Sequence, residues 1–206
     1  MSGSSDIRQL LLRTPFVYRT FQRVVGRNKG MPRLAQLLAI RPGEKVLDIG
    51  CGTADILEYL PVGIDYHGCD VSENYVSAAR ARFGNRGIFS VQGVPLNSAA
   101  LPKQFDVVMA LGVLHHLTDA EARAVFVLAQ SILGLGGRIF TIDGAYVTGQ
   151  NPIARLLLKL DRGQYIRTPE QYVAIARCGF PNARAKVLND LLRVPYTHCI
   201  VEAISG

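Results

Sequence analysis

Three groups of residues in this chain have the types and spacing to do chemistry. The first is Val46-Leu-Asp-Ile-Gly-Cys-Gly-Thr53, an apolar run that ends at Asp48 and passes at once into paired glycines. Gly50 and Gly52 permit positive φ and let a ligand approach the backbone with no Cβ in the way. A glycine turn between a strand and a helix is a general device for holding a nucleotide. The second is Asp70 in Gly68-Cys-Asp-Val-Ser72, about 20 residues on, where a strand-end carboxylate can accept both hydroxyls of a ribose. The first turn reads Asp-Ile-Gly-Cys-Gly-Thr rather than Gly-x-Gly-x-x-Gly, and no Lys-Ser/Thr follows it, so it is not shaped to cradle phosphates. The ligand these groups describe has an adenosine and no phosphate chain. The third group is His115-His116, two imidazoles that ionise near neutrality and can take a proton. Neighbouring side chains diverge, so one of them at most is expected to face a substrate. His115 is the preferred base; the competing reading has one ring packed beside the ligand and the other capping local backbone.

Those residues need a scaffold that brings strand ends together. Short apolar runs alternate with helical patterns, the signature of βαβ units on a parallel sheet. Strands are expected at Lys45–Ile49, Tyr66–Val71, Ile88–Val91, Phe105–Leu111 and Arg138–Ile142. Helices are expected over Ile7–Arg23 (interrupted by Pro15), Pro32–Ala39, Ala54–Leu60 and Ser72–Phe83, the last stopped by Gly84. Thr118-Asp-Ala-Glu121 is a capping box that launches a helix through Leu133, and Gly136-Gly137 turns the chain into the fifth strand. Pro152–Leu160 reads as a strongly apolar helix; Thr168-Pro169 opens another that ends at Gly179. Two last strand-like runs, Ala185–Leu192 and Thr197–Ile204, are joined by too few residues for a parallel crossover and should pair as a hairpin. The sum is an α/β chain with a seven-stranded, mostly parallel sheet and an antiparallel edge.

Composition narrows the classes. The chain has 206 residues, nearly half apolar and about a fifth charged, which is ordinary for one globular domain. Its formal charge of +7 invites a polyanion partner, yet the only dense basic stretch is Arg8, Arg13, Arg19, Arg23, Arg27, Lys29 and Arg33. These alternate with apolar residues at helical spacing and read as the solvated face of an amphipathic helix, so nucleic acid is not the expected partner. Cys51, Cys69, Cys178 and Cys199 form no CxxC pair, which fits apolar fillers in a reducing compartment and no metal. No run is long enough to span a bilayer, and Met1–Asp6 carries no signal-peptide core. The expected location is cytoplasmic, with no membrane association.

At this point the motifs form a set. Val46–Thr53, Tyr66-His-Gly-Cys-Asp-Val-Ser72, Phe105-Asp106, Val113-Leu-His-His-Leu117 and Gly136-Gly137 resemble the successive motifs of class I methyltransferases that use S-adenosylmethionine (SAM). The resemblance runs from about Arg41 to Ile142. It implies a three-layer, Rossmann-like sandwich with sheet order 3-2-1-4-5-7-6, and a single domain over residues 1–206. Within it, residues 1–40 would be a helical cap and 144–167 a substrate cover. It also implies SAM as cofactor, S-adenosylhomocysteine as product, and no metal. Asp48, Gly50, Cys51 and Gly52 would surround the methionine part, Asp70 the ribose and Val71 the adenine. Gly93, Val94, Leu111 and Tyr18 would complete the cofactor site. Two positions depart from the family pattern: Ala54 stands where a glycine is usual, and Val91-Gln-Gly-Val-Pro-Leu-Asn97 lacks the acidic residue that commonly meets the adenine amine. Gln92 or Asn97 is the available substitute.

Methyl transfer from a sulfonium needs no covalent intermediate, and alignment supplies most of the acceleration. The acceptor pocket is expected outside the shared motifs, from Asp143, Tyr146 and Tyr165, with Tyr18 and Phe21 folding over the cofactor. The modest chain length favours a small-molecule acceptor methylated on O or N, a natural product or saccharide among the options; a monomer and a homodimer fit equally. Three rivals stand beside this reading. Aminopropyl transfer lacks the paired acids a polyamine requires, a non-catalytic SAM sensor is hinted at only by the missing acid, and RNA methylation rests on charge alone.

Overall fold

Strands buried on both faces read as unbroken apolar runs, and four of the five expected runs become strands within a residue of their expected bounds. The computed structural model describes residues 27–96, 101–102, 104–161 and 163–206. Its strands are β1 (Lys45–Ile49), β2 (Asp65–Asp70), β3 (Gly87–Val91), β4 (Phe105–Leu111), β5 (Leu133–Gly144), β6 (Arg184–Leu188) and β7 (His198–Ile204). They form one seven-stranded sheet in the order β3-β2-β1-β4-β5-β7-β6. β1 to β5 are parallel, and β7 runs antiparallel between β5 and β6. The expected order and hairpin are therefore present, with Leu188 opposite His198. The helix expected over Ile7–Arg23, with Tyr18 and Phe21, lies outside the described residues. Among the described residues, no helix is long and apolar enough to cross a membrane.

The helices are α1 (Arg27–Leu38), α2 (Glu73–Phe83), α3 (Asp119–Ile132), α4 (Pro152–Leu160) and α5 (Pro169–Ala176). They divide the core in two. Leu47, Ile49, Val108 and Ala110 face α3 and α5 through Val125, Phe126, Ala129, Tyr172 and Ile175. Val46, Tyr66, Val107 and Met109 face α1 and α2 through Leu34, Leu38, Val76 and Ala79. The two-residue alternation along β1 sends Leu47 and Ile49 to one layer and Val46 to the other. Local signals set the helix ends. Ser72 caps α2 by accepting from the Tyr75 N–H, Thr118 and Glu121 close a capping box on α3, and Thr168 and Gln171 close another on α5.

Three local expectations change. α1 is already helical at Arg27, the first described residue, and carries Pro32 inside it rather than starting at Pro32. The proline removes one backbone hydrogen bond, and buried Met31, Leu34 and Leu38 offset that at about 1.5–3 kcal/mol each. The helix expected over Ala54–Leu60 is a four-residue 3₁₀ turn, Asp55–Glu58, because Ala54 is left-handed at φ 54°. β5 begins at Leu133, directly after α3. Leu133 pairs with Phe105 and Arg138 with Val107, and the stretch between is an irregularity that holds Gly136 at φ 76°.

Candidate functional site

The carboxyl ends of β1, β2, β3 and β4 converge on one edge. Register places Ile49 beside Cys69 and Ala110, Asp70 beside Val91, and Leu111 beside Ile142. Ligands of open α/β sheets bind at this edge. There Gly50 (φ 70°) and Gly52 (φ 56°) turn the chain, and the N–H groups of Gly50 and Cys51 both donate to the Cys69 carbonyl, at 2.7 and 2.9 Å. The two glycines are not equivalent. A Cβ on Gly50 would lie 2.5 Å from Val113 Cγ2, whereas a Cβ on Gly52 would meet nothing within 4 Å and would point into open space.

Asp70 closes the turn. Its Oδ2 accepts from the Gly52 N–H at 2.9 Å and its Oδ1 from the Ser72 N–H at 2.8 Å. Each carboxylate oxygen retains a second lone pair, so ribose hydroxyls can still be received. Beside it Val71 is 74% exposed and Val91 46% exposed, an apolar shelf at the sheet edge. Gly93 approaches Val71 so closely that a Cβ there would lie 2.8 Å from Val71 Cγ1. Gln92 donates to Ser90 Oγ at 3.2 Å, and its Oε1 is buried with no hydrogen-bond partner among the described residues. Val94 packs partly buried against the core. Asn97, the other substitute for the missing acid, lies outside the described residues.

Asp48 is buried under the turn and accepts from the Tyr66 hydroxyl at 2.6 Å. Burial, reinforced by Asp48, holds the Tyr66 hydroxyl well above its ordinary pKa, so it remains a donor. Burial likewise pushes Cys69 and Cys199 up to about 12, with Asp48 adding to the first and Asp143 to the second. Thiols so raised are inert packing groups, as expected for apolar fillers.

The histidine pair sits after β4 in a 3₁₀ turn, Leu114–His116. His115 is buried and His116 is exposed, with ring centroids 4.1 Å apart. Asp143 Oδ1, at the end of β5, accepts from the His115 backbone N–H at 3.1 Å and from Nδ1 at 2.8 Å. Because a carboxylate only accepts, the Nδ1 carries the proton and Nε2 faces the other way. Nε2 lies 3.6 Å from Asp161 Oδ1. Burial lowers the His115 pKa, but the hydrogen bond and charge of Asp143 and the charge of Asp161 outweigh it, and the net direction is up. Asp143 therefore stands behind His115 and holds its ring.

Tyr165 donates its backbone N–H to the His115 carbonyl at 2.9 Å. Tyr146 lines a cavity of about 440 Å³ with Arg155 and Glu170. A larger cavity, about 600 Å³, lies between the loop after β5 and the β6–β7 connection, and Tyr196, Arg193 and Asn151 are in its wall. Tyr196 donates to Asp161 Oδ2 at 2.9 Å, linking that wall to the histidine pair. Buried Arg167 binds the carbonyls of Leu114, Leu117 and Tyr165 and the Asp119 carboxylate, tying the histidine turn to α3. Arg167 and Tyr196 carry no local sequence signal, since every partner but Tyr165 is distant in the chain.

With this geometry in hand, likenesses to known proteins take on meaning. Residues 47–139 match the family described as methyltransferase domain. The chain is 36% identical over 117 residues to probable tRNA methyltransferase 9B of Mus musculus, covering 54% of this chain and 24% of that protein. It is 31% identical over 121 residues to the ubiquinone/menaquinone biosynthesis C-methyltransferase UbiE of Xanthomonas oryzae, covering 54% and 46%. The chain thus spans less than half the length of either relative. Magnesium protoporphyrin IX methyltransferase (ChlM) of Synechocystis, solved with bound S-adenosylhomocysteine, superimposes with a TM-score of 0.62 at 25% identity, covering 89% of this chain and 85% of that one. Sheet order and glycine turn are those of the class I SAM-dependent methyltransferase fold, and the methyltransferase-domain match lies on the part of the chain that carries them.

Proposed function

We propose that this chain transfers the methyl group of SAM to a small-molecule acceptor. The observation that carries this reading is the turn at Gly50–Gly52 closed by Asp70, beside an exposed apolar shelf at the carboxyl edge of the sheet. These residues fit an adenosine: Asp70 has lone pairs for the ribose, Val71 and Val91 present an apolar surface, and Gln92 Oε1 is a buried acceptor for the adenine amine. Gln92 thereby takes the place of the missing acid. Asp48, Cys51, Gly93, Val94 and Leu111 frame the same space. SAM supplies a methyl group on a positively charged sulfur, and the protein's task is to hold an acceptor in line with it.

His115 and His116 form the polar wall at which an acceptor hydroxyl or amine loses its proton, with Asp143 fixing the His115 ring. Tyr146, Tyr165 and the 144–167 cover shape the acceptor pocket. Two cavities lined in part by the Val147–Thr148 loop, the smaller with Tyr146 in its wall, have a size that suits a small molecule. A nucleic-acid acceptor is the second reading, favoured by the +7 charge and by the likeness to tRNA methyltransferase 9B. Calorimetric titration with SAM and S-adenosylhomocysteine tests the central claim. Micromolar binding that Asp70→Ala lowers at least ~10-fold is expected; no binding of either compound by the folded protein would overturn it.

A further inference from the structure

A buried imidazole held on one nitrogen by a carboxylate and presenting the other to a second carboxylate is the arrangement seen around protein-bound metals. The carboxylate behind the ring fixes the tautomer and raises the basicity of the far nitrogen. Here Asp143 Oδ1 takes the Nδ1 proton of His115 at 2.8 Å, so Nε2 carries the lone pair. That nitrogen lies 3.6 Å from Asp161 Oδ1. The separation is too long for a hydrogen bond. It is close to the roughly 3.3–3.5 Å that separates two ligands lying about 2.0–2.2 Å from one tetrahedral ion.

The third member is His116. One ligand atom each from His115, His116 and Asp161 lie within 4.8 Å of one another. His116 is the exposed member of the three, and its exposure provides the way in for an ion. Asp161 is held for the purpose on both oxygens: Oδ1 accepts from the Gly163 N–H at 2.8 Å and Oδ2 from the Tyr196 hydroxyl at 2.9 Å. Gly163 is required so near the ring, since a Cβ there would lie 2.2 Å from His115 Cδ2.

We propose that His115 Nε2, His116 and Asp161 bind a first-row divalent cation of the zinc or cobalt class. Two imidazoles and one carboxylate suit such an ion, and three protein ligands leave a coordination position open for an oxygen ligand. The position borders the acceptor wall proposed above, and this inference rests on that reading only for the identity of the oxygen, an acceptor hydroxyl. With the ion bound, the two imidazoles are ligands rather than bases; an O–H on the ion becomes acidic and its proton passes to solvent on the His116 side. Nothing in the sequence marks such a site, since the cysteines lack ligand spacing and Asp161 is distant in the chain from the histidine pair.

The test uses the full chain, stripped with a chelator and titrated with Co²⁺ by visible absorption and with Zn²⁺ by calorimetry, without SAM. One saturable ion per chain is expected. His116→Ala and Asp161→Asn should each weaken binding at least ~10-fold, and Asp143→Asn, which alters only the support of His115, by ~10-fold to 100-fold. His67→Ala, which removes an imidazole on β2 away from the cluster, should leave it unchanged. Absence of saturable binding, or binding unaffected by His116→Ala in a variant with native circular dichroism, would overturn the proposal. Because no SAM is present, failure here and failure of the cofactor reading are separate results.

Discussion

Gly50 and Gly52 stand two residues apart in one motif, yet the structure assigns them different costs on replacement by alanine. Both have positive φ, 70° and 56°, so either substitution forces a side chain into the left-handed region at about 1–2 kcal/mol. Gly50→Ala adds a collision, its Cβ lying 2.5 Å from Val113 Cγ2. Overpacking of that kind costs about 1–3 kcal/mol more. The expected loss of stability is then about 2–5 kcal/mol for Gly50→Ala and about 1–2 kcal/mol for Gly52→Ala. Urea unfolding measures both, and repeating Gly50→Ala in a Val113→Ala background isolates the collision, which should shrink while the backbone cost persists. Calorimetry with SAM should show the opposite emphasis. The Gly52 Cβ enters the open space proposed for the cofactor, so SAM affinity should fall at least ~10-fold in Gly52→Ala while most stability is kept. Equal destabilisation by the two variants, with no coupling to Val113, would refute the reasoning.

Two further outcomes follow from buried and half-buried charges. Arg167→Lys keeps the charge but loses the planar fork that reaches three carbonyls and Asp119 at once. It should cost about 2–4 kcal/mol in urea unfolding, and a change under ~0.5 kcal/mol would show that the anchor is dispensable. Glu44 receives two hydrogen bonds from Arg138 and one from the Arg41 N–H. Burial raises its pKa, but Arg138 and Arg41 outweigh burial, so the folded value lies below the ordinary 4.5. A lowered carboxylate pKa stabilises the fold fully above the unfolded value and loses that contribution as pH falls through the folded one. The stability difference between wild type and Glu44→Gln should therefore be constant from neutrality to about pH 5 and shrink below it; a difference that grows on acidification would contradict the assignment.

Much of the site was legible in one dimension because its carriers are local. The glycines report the backbone conformations they must adopt, and Ser72, Thr118 and Thr168 report the helix ends they cap. The apolar runs report strands buried on both faces. Less legible were elements whose form depends on what they touch. α1 continues through Pro32 because its apolar residues reach the sheet. The turn after Ala54 tightens to 3₁₀ rather than becoming an α-helix, and β5 starts early by pairing Leu133 with Phe105 across the sheet.

The histidine pair shows the same division in the chemistry. Sequence alone marked His115-His116 as a proton-accepting pair and Asp143 as a substrate contact. Only the folded chain decides that Asp143 stands behind His115, that Asp161 faces its other nitrogen, and that Tyr196 and Gly163 hold Asp161 in place. Likewise, only the fold decides which glycine of the turn packs against protein and which opens to a ligand. By itself the sequence determined the strand positions, the glycine turn and the strand-end carboxylate, because periodicity, φ preference and capping act over a few neighbouring residues; the strand order came only with the family resemblance. The tertiary structure decided the polar constellation at the acceptor wall, because its members come from separate loops whose meeting depends on how the sheet closes its edge.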